Sequence, residues 1–341
     1  MFALTAALVL VAVLSLGLGA VHLTPAQVLH ALRGGDGAER VARTIVWDLR
    51  LPRILLGLLI GAGLAASGAA FQGLFRNPLA DPFVVGASSG ASLGATLAII
   101  SGASWASVTG TLLPERGLLA LGPVPIAAFV GALLAVALVY SIAESGGGAP
   151  VVSLVLAGTA LSTLLSAIVS LLMTTSDNHF QATYAWLIGG LSGRSWWHLQ
   201  ATWPYLVVGS VVLWLISRPL DALSFGDETA QSLGLSIRSA RALIILAATL
   251  TTAAAVAAAG VIGFVGLIAP HVARLLFGAA HRRLIPASAL LGGLLVMLAD
   301  DLARTAWAPT EVAVGIITSV LGAPFFLYLL KRRQSHLGGE R

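Results

Sequence analysis

The chain alternates between long apolar runs and short polar connections. The apolar runs are about 20 residues long, which is the length an α-helix needs to cross roughly 30 Å of hydrocarbon. They are solid blocks of Leu, Ala, Val and Ile rather than alternating apolar and polar positions, and this favours helices over a β-barrel. The pattern predicts ten membrane-spanning helices, at residues 2–21, 54–73, 83–101, 118–140, 151–174, 201–217, 241–261, 263–279, 285–303 and 312–330.

The most abrupt break follows the second predicted span, at FRNPLADP (75–82). Its two X-Pro pairs each force the preceding residue out of the helical region, so the helix cannot continue through it. Its Arg and Asp require water or a charged partner. The run GASSGASLGA (86–95) comes next, and its small residues either let helices pack closely or line a path with hydroxyl groups. Under the second interpretation the path candidates are Ser88, Ser89 and Ser92.

A second polar segment, PLDALSFGDETAQSLGLSIRS (219–239), is too polar to span a membrane. Ser224 and Asp227 are candidate caps of a short helix that stops at Gly234, and another short turn precedes Gly226. The predicted apolar side of this helix is Ala230, Leu233 and Leu235. Short amphipathic helices of this kind lie on a lipid surface or dock into a groove of a partner protein.

Composition supports an all-α integral membrane protein, because 57% of the residues are hydrophobic and only 10% are charged. We expect residues 1–341 to form a single transmembrane domain. The chain has no cysteine, and its seven histidines lack paired-ligand spacing, so we expect it to bind no metal and no cofactor. The only lysine is Lys331, which excludes a phosphate-cradling GxxxxGK[ST] loop and hence an ATPase site on this chain. No cluster of His, Asp or Glu suggests a membrane enzyme.

The distribution of basic residues predicts the orientation. The ending KRRQSHLGGER (331–341) favours the cytoplasm, and an even number of spans puts both termini there. The first apolar run has no Lys or Arg before it, so we interpret it as a span rather than a signal peptide. Five arginines then lie in one outer loop, where they either mark a membrane boundary or attract an acidic partner: Arg33, Arg40, Arg43, Arg50 and Arg53.

Five motifs in order resemble the permease subunits of the iron-chelate and cobalamin ABC importers (FecCD/BtuC-like). They are SGAAFQGLFRNPLADPFVVGASSGASLGA, GDETAQSLGL, GFVGLIAPHVARLLFG, HRRLIPASALLGG with LAD, and EVAVGIITSVLGAPFFLYLL. The resemblance implies a ten-helix permease in the cytoplasmic (inner) membrane of a bacterium or archaeon. It also implies a second permease copy or a paralogue, two cytoplasmic ATPase subunits that carry ATP and Mg²⁺, and a periplasmic or lipid-anchored solute-binding protein.

The resemblance also assigns roles to residues. In LRLPR and LADDLAR, Arg50, Arg53 and Arg304 match arginines that dock the binding protein. Asn77 and Leu79 match residues that narrow the cytoplasmic end of the path. A second constriction is expected in ESGGGAPVV (144–152), whose gating residues we do not place. The expected ATPase contacts are Asp227, Glu228, Ala230, Ser232, Leu233 and Gly234.

Two other classes compete with this interpretation. A secondary transporter with broken helices and no ATPase partner fits the faint parallel between VVGASSGASLGATLAI and LIPASALLGGLLVMLA. Such a transporter usually buries an ionisable residue near the membrane midplane, whereas Asp300 and Asp301 fall at the outer end of their predicted span. A purely structural membrane protein gives no reason for five ordered motifs.

The substrate is the least determined feature of the sequence. Members of the family carry ferric siderophores, cobalamin or haem. WLIGGLSGRSWW (186–197) resembles the siderophore and cobalamin branches more than the haem branch. We therefore expect a bulky iron chelate, with a ferric siderophore first and cobalamin or haem next.

Overall fold

The structure is a computed structural model that describes residues 1–33, 40–102, 121–144 and 150–338. Within these ranges the chain is all-α and forms no strand. The helices are α1 (Phe2–Gly17), α2 (Pro25–Arg33), α3 (Leu51–Leu74), α4 (Ala87–Ile100), α5 (Pro123–Glu144), α6 (Val151–Thr175), α7 (Phe180–Leu187), α8 (Trp196–Leu215), α9 (Ser217–Ser224), α10 (Asp227–Ser232), α11 (Ile237–Ala259), α12 (Val265–Phe277), α13 (His281–Thr305) and α14 (Val314–Gly338). A short helix at Arg40–Arg43 and a π-helical stretch at Thr44–Arg50 lead into α3 without a break.

Each predicted span overlaps a helix, although residues 118–120 of the fourth lie outside the described ranges. Six helices among the described residues are long and apolar enough to cross a membrane, and α8 with α9 would add a seventh as a pair bent by 54°. Three further apolar helices, α1, α4 and α12, are shorter than 18 residues. Ten crossings and two cytoplasmic ends stay predictions.

The helix α3 forms the centre of the bundle, and most of its side chains are buried. It crosses α13 and α12 at glycines. A Cβ atom at Gly61 would lie 2.6 Å from the carbonyl carbon of Gly292, and one at Gly68 would lie 2.6 Å from the Cα of Gly266. Helices in lipid associate by van der Waals packing, so these glycines let the backbones approach closely enough to gain it.

Several helix boundaries differ from the predicted ones for local reasons. The helix α8 begins at Trp196 rather than 201, because Ser195 and His198 form a capping box there. The third span is divided, since a 3₁₀ turn at Pro82–Val85 precedes α4 and Gly86 between them has φ +88°. That left-handed conformation favours glycine.

In contrast to α3, the helix α6 lies at the edge of the described bundle. In the 18-residue stretch of α6 with the highest hydropathy, only 11% is buried. Most of the surface of α6 is therefore available to lipid or to another protein chain.

Candidate functional site

The three predicted docking arginines lie together, around one cavity of about 320 Å³. Arg50 precedes α3, Arg53 lies in its first turn and Arg304 lies in the last turn of α13. All three side chains are buried, with relative exposures of 7%, 9% and 3%. The close packing of α3 against α13 is what brings residues from the two ends of the chain to this cavity.

Two of these arginines are held by carboxylates of the same chain. Arg53 donates from Nη2 to Asp300 Oδ1 at 2.8 Å and from Nη1 to Glu311 Oε2 at 3.0 Å. Arg304 donates from Nη2 to Asp301, and its Nε lies 3.7 Å from Asp300 Oδ2. Sequence reasoning missed these pairings. The i,i+3 and i,i+4 spacing on α13 was a readable signal for Arg304, whereas nothing near Glu311 points to Arg53.

The remaining predicted arginine binds backbone rather than carboxylate. Arg50 donates from Nη1 to the carbonyl oxygen of Leu16 at 2.6 Å and from Nη2 to that of Val21. Arg194, which sequence reasoning did not single out, lines the same cavity and is half-buried. Burial lowers its pKa. Besides Arg53 and Arg304, which internal carboxylates neutralise, the cavity is therefore lined by two further arginines, Arg50 and Arg194.

Glu311 lies in the connection between α13 and α14 at the rim of this cavity. Burial by itself would raise the pKa of its carboxyl, but the charge and hydrogen bonds of Arg53 outweigh burial. The Ser192 hydroxyl and the charge of Arg304 act in the same direction, so the pKa of Glu311 lies below its usual value. Glu311 is thus held as a carboxylate at neutral pH.

The predicted gate segment is a compact turn between α3 and the 3₁₀ turn. Arg76 has φ +50°, a left-handed conformation that is uncommon outside glycine. The Asn77 side-chain oxygen accepts the N–H of Leu79 at 3.1 Å, and Asp81 Oδ1 accepts the N–H of Phe83 at 2.9 Å. Asn77 is exposed and Leu79 is half-buried. The side chains of this segment therefore stabilise its own turns, with Asn77 exposed at the surface.

Burial raises the pKa of Asp81 to about 6, and the Phe83 N–H, which favours the charged form, offsets this only in part. The second predicted constriction, 144–152, falls mostly on residues 145–149, outside the described ranges.

The predicted coupling segment, residues 219–239, includes most of the short helix α9 and all of the short helix α10. The predicted caps are wrong. The Ser224 hydroxyl donates back to the Leu220 carbonyl at 2.9 Å, and α10 starts after Gly226, whose φ of +113° turns the chain without a side-chain cap. Asp227 is instead a first-turn residue of α10 and accepts a hydrogen bond from Arg241 at 2.7 Å.

The six predicted ATPase contacts differ in exposure. Ala230 is fully buried and packs inward. The other five are exposed or half-buried: Asp227, Glu228, Ser232, Leu233 and Gly234. Leu233 has a relative exposure of 71%, and Phe225, between the two short helices, reaches 79%. Sequence reasoning missed Phe225, although an aromatic residue beside a glycine in a polar segment was a readable signal.

The predicted path residues lie on α4 with different environments. Ser89 is buried and donates to Ser162 of α6 at 3.1 Å, whereas Ser88 and Ser92 are half-buried. The Ser92 hydroxyl donates to the Ser88 carbonyl at 2.8 Å. The helices α4 and α6 therefore meet through hydroxyl groups.

A larger hydroxyl face lies on α6 and was missed from the sequence. Its residues follow a helical spacing and are all exposed: Thr159, Thr163, Ser166, Ser170 and Thr174. Most of these hydroxyls donate to carbonyls three or four residues earlier, for example Thr163 to Thr159 at 2.9 Å. This face, which we call the α6 hydroxyl face, is polar along a helix that is otherwise apolar.

Over the described part of the chain, no group of three or more His, Asp or Glu side chains is placed to hold a metal ion. The arrangement supplies charged and hydroxyl-bearing surfaces at several places in one helical bundle, and such surfaces suit binding and passage of a solute.

Comparison with known proteins places the chain in a family. The FecCD transport family matches residues 7–332. The chain is 46% identical to the cobalamin import system permease protein BtuC of Halobacterium salinarum over 298 residues, which cover 87% of this chain and 76% of the relative. It is 39% identical to the Fe(3+)-citrate import system permease protein YfmE of Bacillus subtilis over 325 residues, which cover 95% of this chain and 92% of the relative.

A solved structure has the same fold over nearly the whole chain. A metal-chelate type ABC transporter in an inward-facing conformation superposes with a TM-score of 0.83 at 34% identity, over 97% of this chain and 98% of the other. The ordered motifs, the helical bundle and the match over nearly the whole chain together show that this protein belongs to the FecCD transport family, the permease subunits of iron-chelate and cobalamin ABC importers.

Proposed function

We propose that the chain is the transmembrane permease subunit of an ABC importer that moves a bulky iron chelate into the cytoplasm by alternating access. It acts in the cytoplasmic membrane of a bacterium or archaeon and receives its substrate from a solute-binding protein. The observation that carries this proposal is the pair of short helices α9 and α10, which present Phe225 and Leu233 to the surface within a polar segment.

These two side chains support docking of an ATPase. Exposed apolar residues on the long helices contact lipid, but the coupling segment is too polar to span and has no such cover. A groove in a partner would bury Phe225 and Leu233, with Glu228 at its rim. ATP and Mg²⁺ then belong to that partner. Because Ala230 packs inward, we place the contact on Phe225, Glu228 and Leu233 instead.

The α6 hydroxyl face supports pairing with a second permease copy or a paralogue. A polar stripe gains little from lipid, whereas two such faces set opposite each other would line the space between them with hydroxyl groups. Ser88 and Ser92 of α4 are half-buried close to α6 and would extend this lining.

Docking of the binding protein at the cavity lined by Arg50, Arg53 and Arg304, the arginine cavity, would require these arginines to exchange their internal partners for side chains of the binding protein. Acidic side chains of the delivery protein would bind Arg50 and Arg194 first, since neither has a carboxylate partner among the described residues. They would then compete with Glu311 and Asp301 for Arg53 and Arg304. Charge complementarity of this kind steers association.

The substrate proposal stays with the chelate class. The relatives named above are permeases for cobalamin and for Fe(3+)-citrate, so their names alone do not select one ligand. We place a ferric siderophore first and cobalamin or haem next, and the segment 186–197 supports this only in so far as it resembles the siderophore and cobalamin branches more than the haem branch. Family membership favours an ABC permease over a secondary transporter.

The test is reconstitution in liposomes with the ATPase and the binding protein encoded beside the gene. Ferric siderophores, cobalamin and haem are added in turn, and ATP hydrolysis and accumulation in the lumen are measured. We expect one ligand class to stimulate hydrolysis and to accumulate. Hydrolysis that no ligand changes would overturn the substrate proposal.

A matched pair of variants tests the docking surface in the same preparation. Leu233→Ser removes an exposed apolar contact and should reduce co-purification of the ATPase, whereas Leu275→Ser changes a similarly exposed leucine outside the coupling segment. Full retention of the ATPase by Leu233→Ser, or failure of the ATPase to bind the parent chain, would contradict the docking proposal.

A further inference from the structure

Each short helix of the coupling segment is tethered to the bundle through an aspartate. On α9, Asp221 Oδ1 accepts the backbone N–H of His281 at 2.9 Å and lies 2.6 Å from the imidazole Nδ1. On α10, Asp227 Oδ2 accepts from Arg241 at 2.7 Å, and Asp227 Oδ1 lies 3.8 Å from Nη2 of Arg76. Both helices therefore have a direct connection to residues outside the segment, a hydrogen bond for α9 and ion pairs for α10.

The first tether ends on the last turn of α3. His281 is 3% exposed, and its ring packs against Gly73. A Cβ atom at Gly73 would lie 2.8 Å from the His281 Cε1, so the ring fills the space above the glycine backbone. Because the ring is in contact with the Gly73 backbone, a displacement of Asp221 that moves the ring toward α3 would press on this turn.

The second tether ends on the same turn. The N–H of Arg76 donates to the Gly73 carbonyl at 3.2 Å, so the two residues close the turn that ends α3. Arg76 holds the left-handed backbone conformation, which persists only where the surroundings enforce it. Its guanidinium lies over the start of α10, with Nη1 3.6 Å from the position that a Cβ of Gly226 would take.

A cavity of about 620 Å³ adjoins these contacts. It lies between the end of α3, the helix α9 and the start of α13, and Gln72, Arg76, Phe225 and Arg274 line it. The turn at 73–76 therefore has space into which it can move when the short helices shift.

We infer that His281 and Arg76 are positioning residues that connect α9 and α10 to the turn at 73–76, and through it to the gate segment 75–82. The inference rests on the proposed function, because it needs an ATPase that moves the short helices. Two tethers on one turn make the gate respond to both helices at once.

The test uses the complex of permease and ATPase in detergent or nanodiscs, with Mg²⁺-ATP as the probe. The chain has no cysteine, so Pro78→Cys gives a single labelling site within the gate segment. In this background we compare Asp221→Ala, which removes the first tether, with Arg76→Asn, which removes the second. Asn tolerates the left-handed conformation better than most residues, and Arg76 is exposed, so this variant should keep its fold.

In the parent, Mg²⁺-ATP should change the emission of the label. We expect each variant to reduce that change by about fivefold per ATP hydrolysed. Adding His281→Ala to Asp221→Ala should not reduce the label response further, because both substitutions remove the same tether. Adding Arg76→Asn to Asp221→Ala should reduce the response further, because it removes the second tether. The matched control is Arg283→Gln, an exposed charge beside His281 that should leave the response unchanged.

A merely structural role would lower ATPase binding, hydrolysis and the label response together and leave their ratio intact, and that result would overturn the inference. So would a parent label that does not respond although the ATPase is bound and active. If no ATPase binds the parent chain, the proposed function itself fails.

Discussion

At the scale of single residues, the end of the bundle that carries Arg53 and Arg304 depends on buried ion pairs. Asp300 is 3% exposed and lies between Arg53 and Arg304, both of which are also buried. Burying an ion is costly unless its partners compensate it, so each member of this cluster depends on the others. The cluster therefore fixes the geometry of the arginine cavity.

The substitution Asp300→Asn should lower the free energy of unfolding by about 3 kcal/mol, because it leaves Arg53 and Arg304 buried with one carboxylate fewer. The measurement is the thermal midpoint of the purified permease. Asp48→Asn removes an exposed carboxylate at the same cavity and should leave the midpoint unchanged. Equal midpoints for the two variants would show that the pairing contributes nothing to stability.

The second residue-scale prediction concerns pH. Burial raises the pKa of Asp81 from 3.8 to about 6, so the folded chain binds this proton more tightly than the unfolded chain. The resulting stabilisation is complete below the unfolded value and is lost as the pH rises through about 6. Asp81→Asn should therefore match the parent below pH 3.8 and be more stable at about pH 7.

Thermal midpoints of parent and Asp81→Asn across this pH range are the measurement. A difference that is constant with pH would mean that Asp81 does not titrate in this window.

At the scale of elements, the bundle is organised by helices that cross at glycine. The contact of α3 with α13 at Gly61 and Gly292 is backbone against backbone, and the contact of α3 with α12 at Gly68 and Gly266 is of the same kind. These crossings place the cavity lined by Arg50, Arg53 and Arg304 at one end of α3 and the turn at 73–76 at its other end.

The substitution Gly61→Ala should destabilise the protein by about 2 kcal/mol, because the added methyl group would push α13 away from α3. The thermal midpoint and the integrity of the monomer in detergent report the effect. Gly263→Ala is the matched control, since a Cβ there would meet no atom closer than 4.0 Å. If the thermal midpoint of Gly61→Ala equals that of Gly263→Ala, α3 and α13 have room for the methyl group and the expected clash does not occur.

At the scale of the whole molecule, the α6 hydroxyl face is a polar stripe on an otherwise apolar flank of the bundle. In the proposed assembly it lines the path between two permeases, whereas in an isolated chain it would face lipid. The two arrangements differ in whether water reaches the face.

The chain without cysteine makes this difference measurable. Ser166→Cys in proteoliposomes should react with a water-soluble thiol reagent, because the face borders an aqueous path. Leu171→Cys lies on the same helix on its apolar side, is exposed in the single chain, and should be protected by lipid. Equal protection of both cysteines would contradict a path along α6.

Much of the architecture was predictable, and the failures share a cause. The apolar runs predicted the long helices, and the polar segment 219–239 predicted a short helix and a preceding short turn, where the structure has α10 and α9. What failed is the direction of particular side chains. Ala230 and Leu233 were expected on one apolar side that contacts the ATPase, yet Ala230 is buried and only Leu233, at 71% exposure, faces outward, because α10 ends at Ser232 and the helical spacing ends with it.

The candidate site divides in the same way. The arginines of LRLPR and LADDLAR were identifiable by resemblance, but their internal partners were not. Arg53 and Asp300 are 247 positions apart along the chain, and no local pattern connects them. Likewise, His281 and Gly73 meet only because α13 and α3 pack side by side.

The sequence by itself determined that the chain is a helical membrane protein, where its helices break and that it has no ATPase loop of its own. These features follow from local chemistry, since hydrocarbon sets the length of a span and proline and charge end it. The tertiary structure alone decided which charges are neutralised inside the chain and which surfaces stay open to partners. That choice depends on contacts between distant segments, and these contacts exist only after the helices have packed.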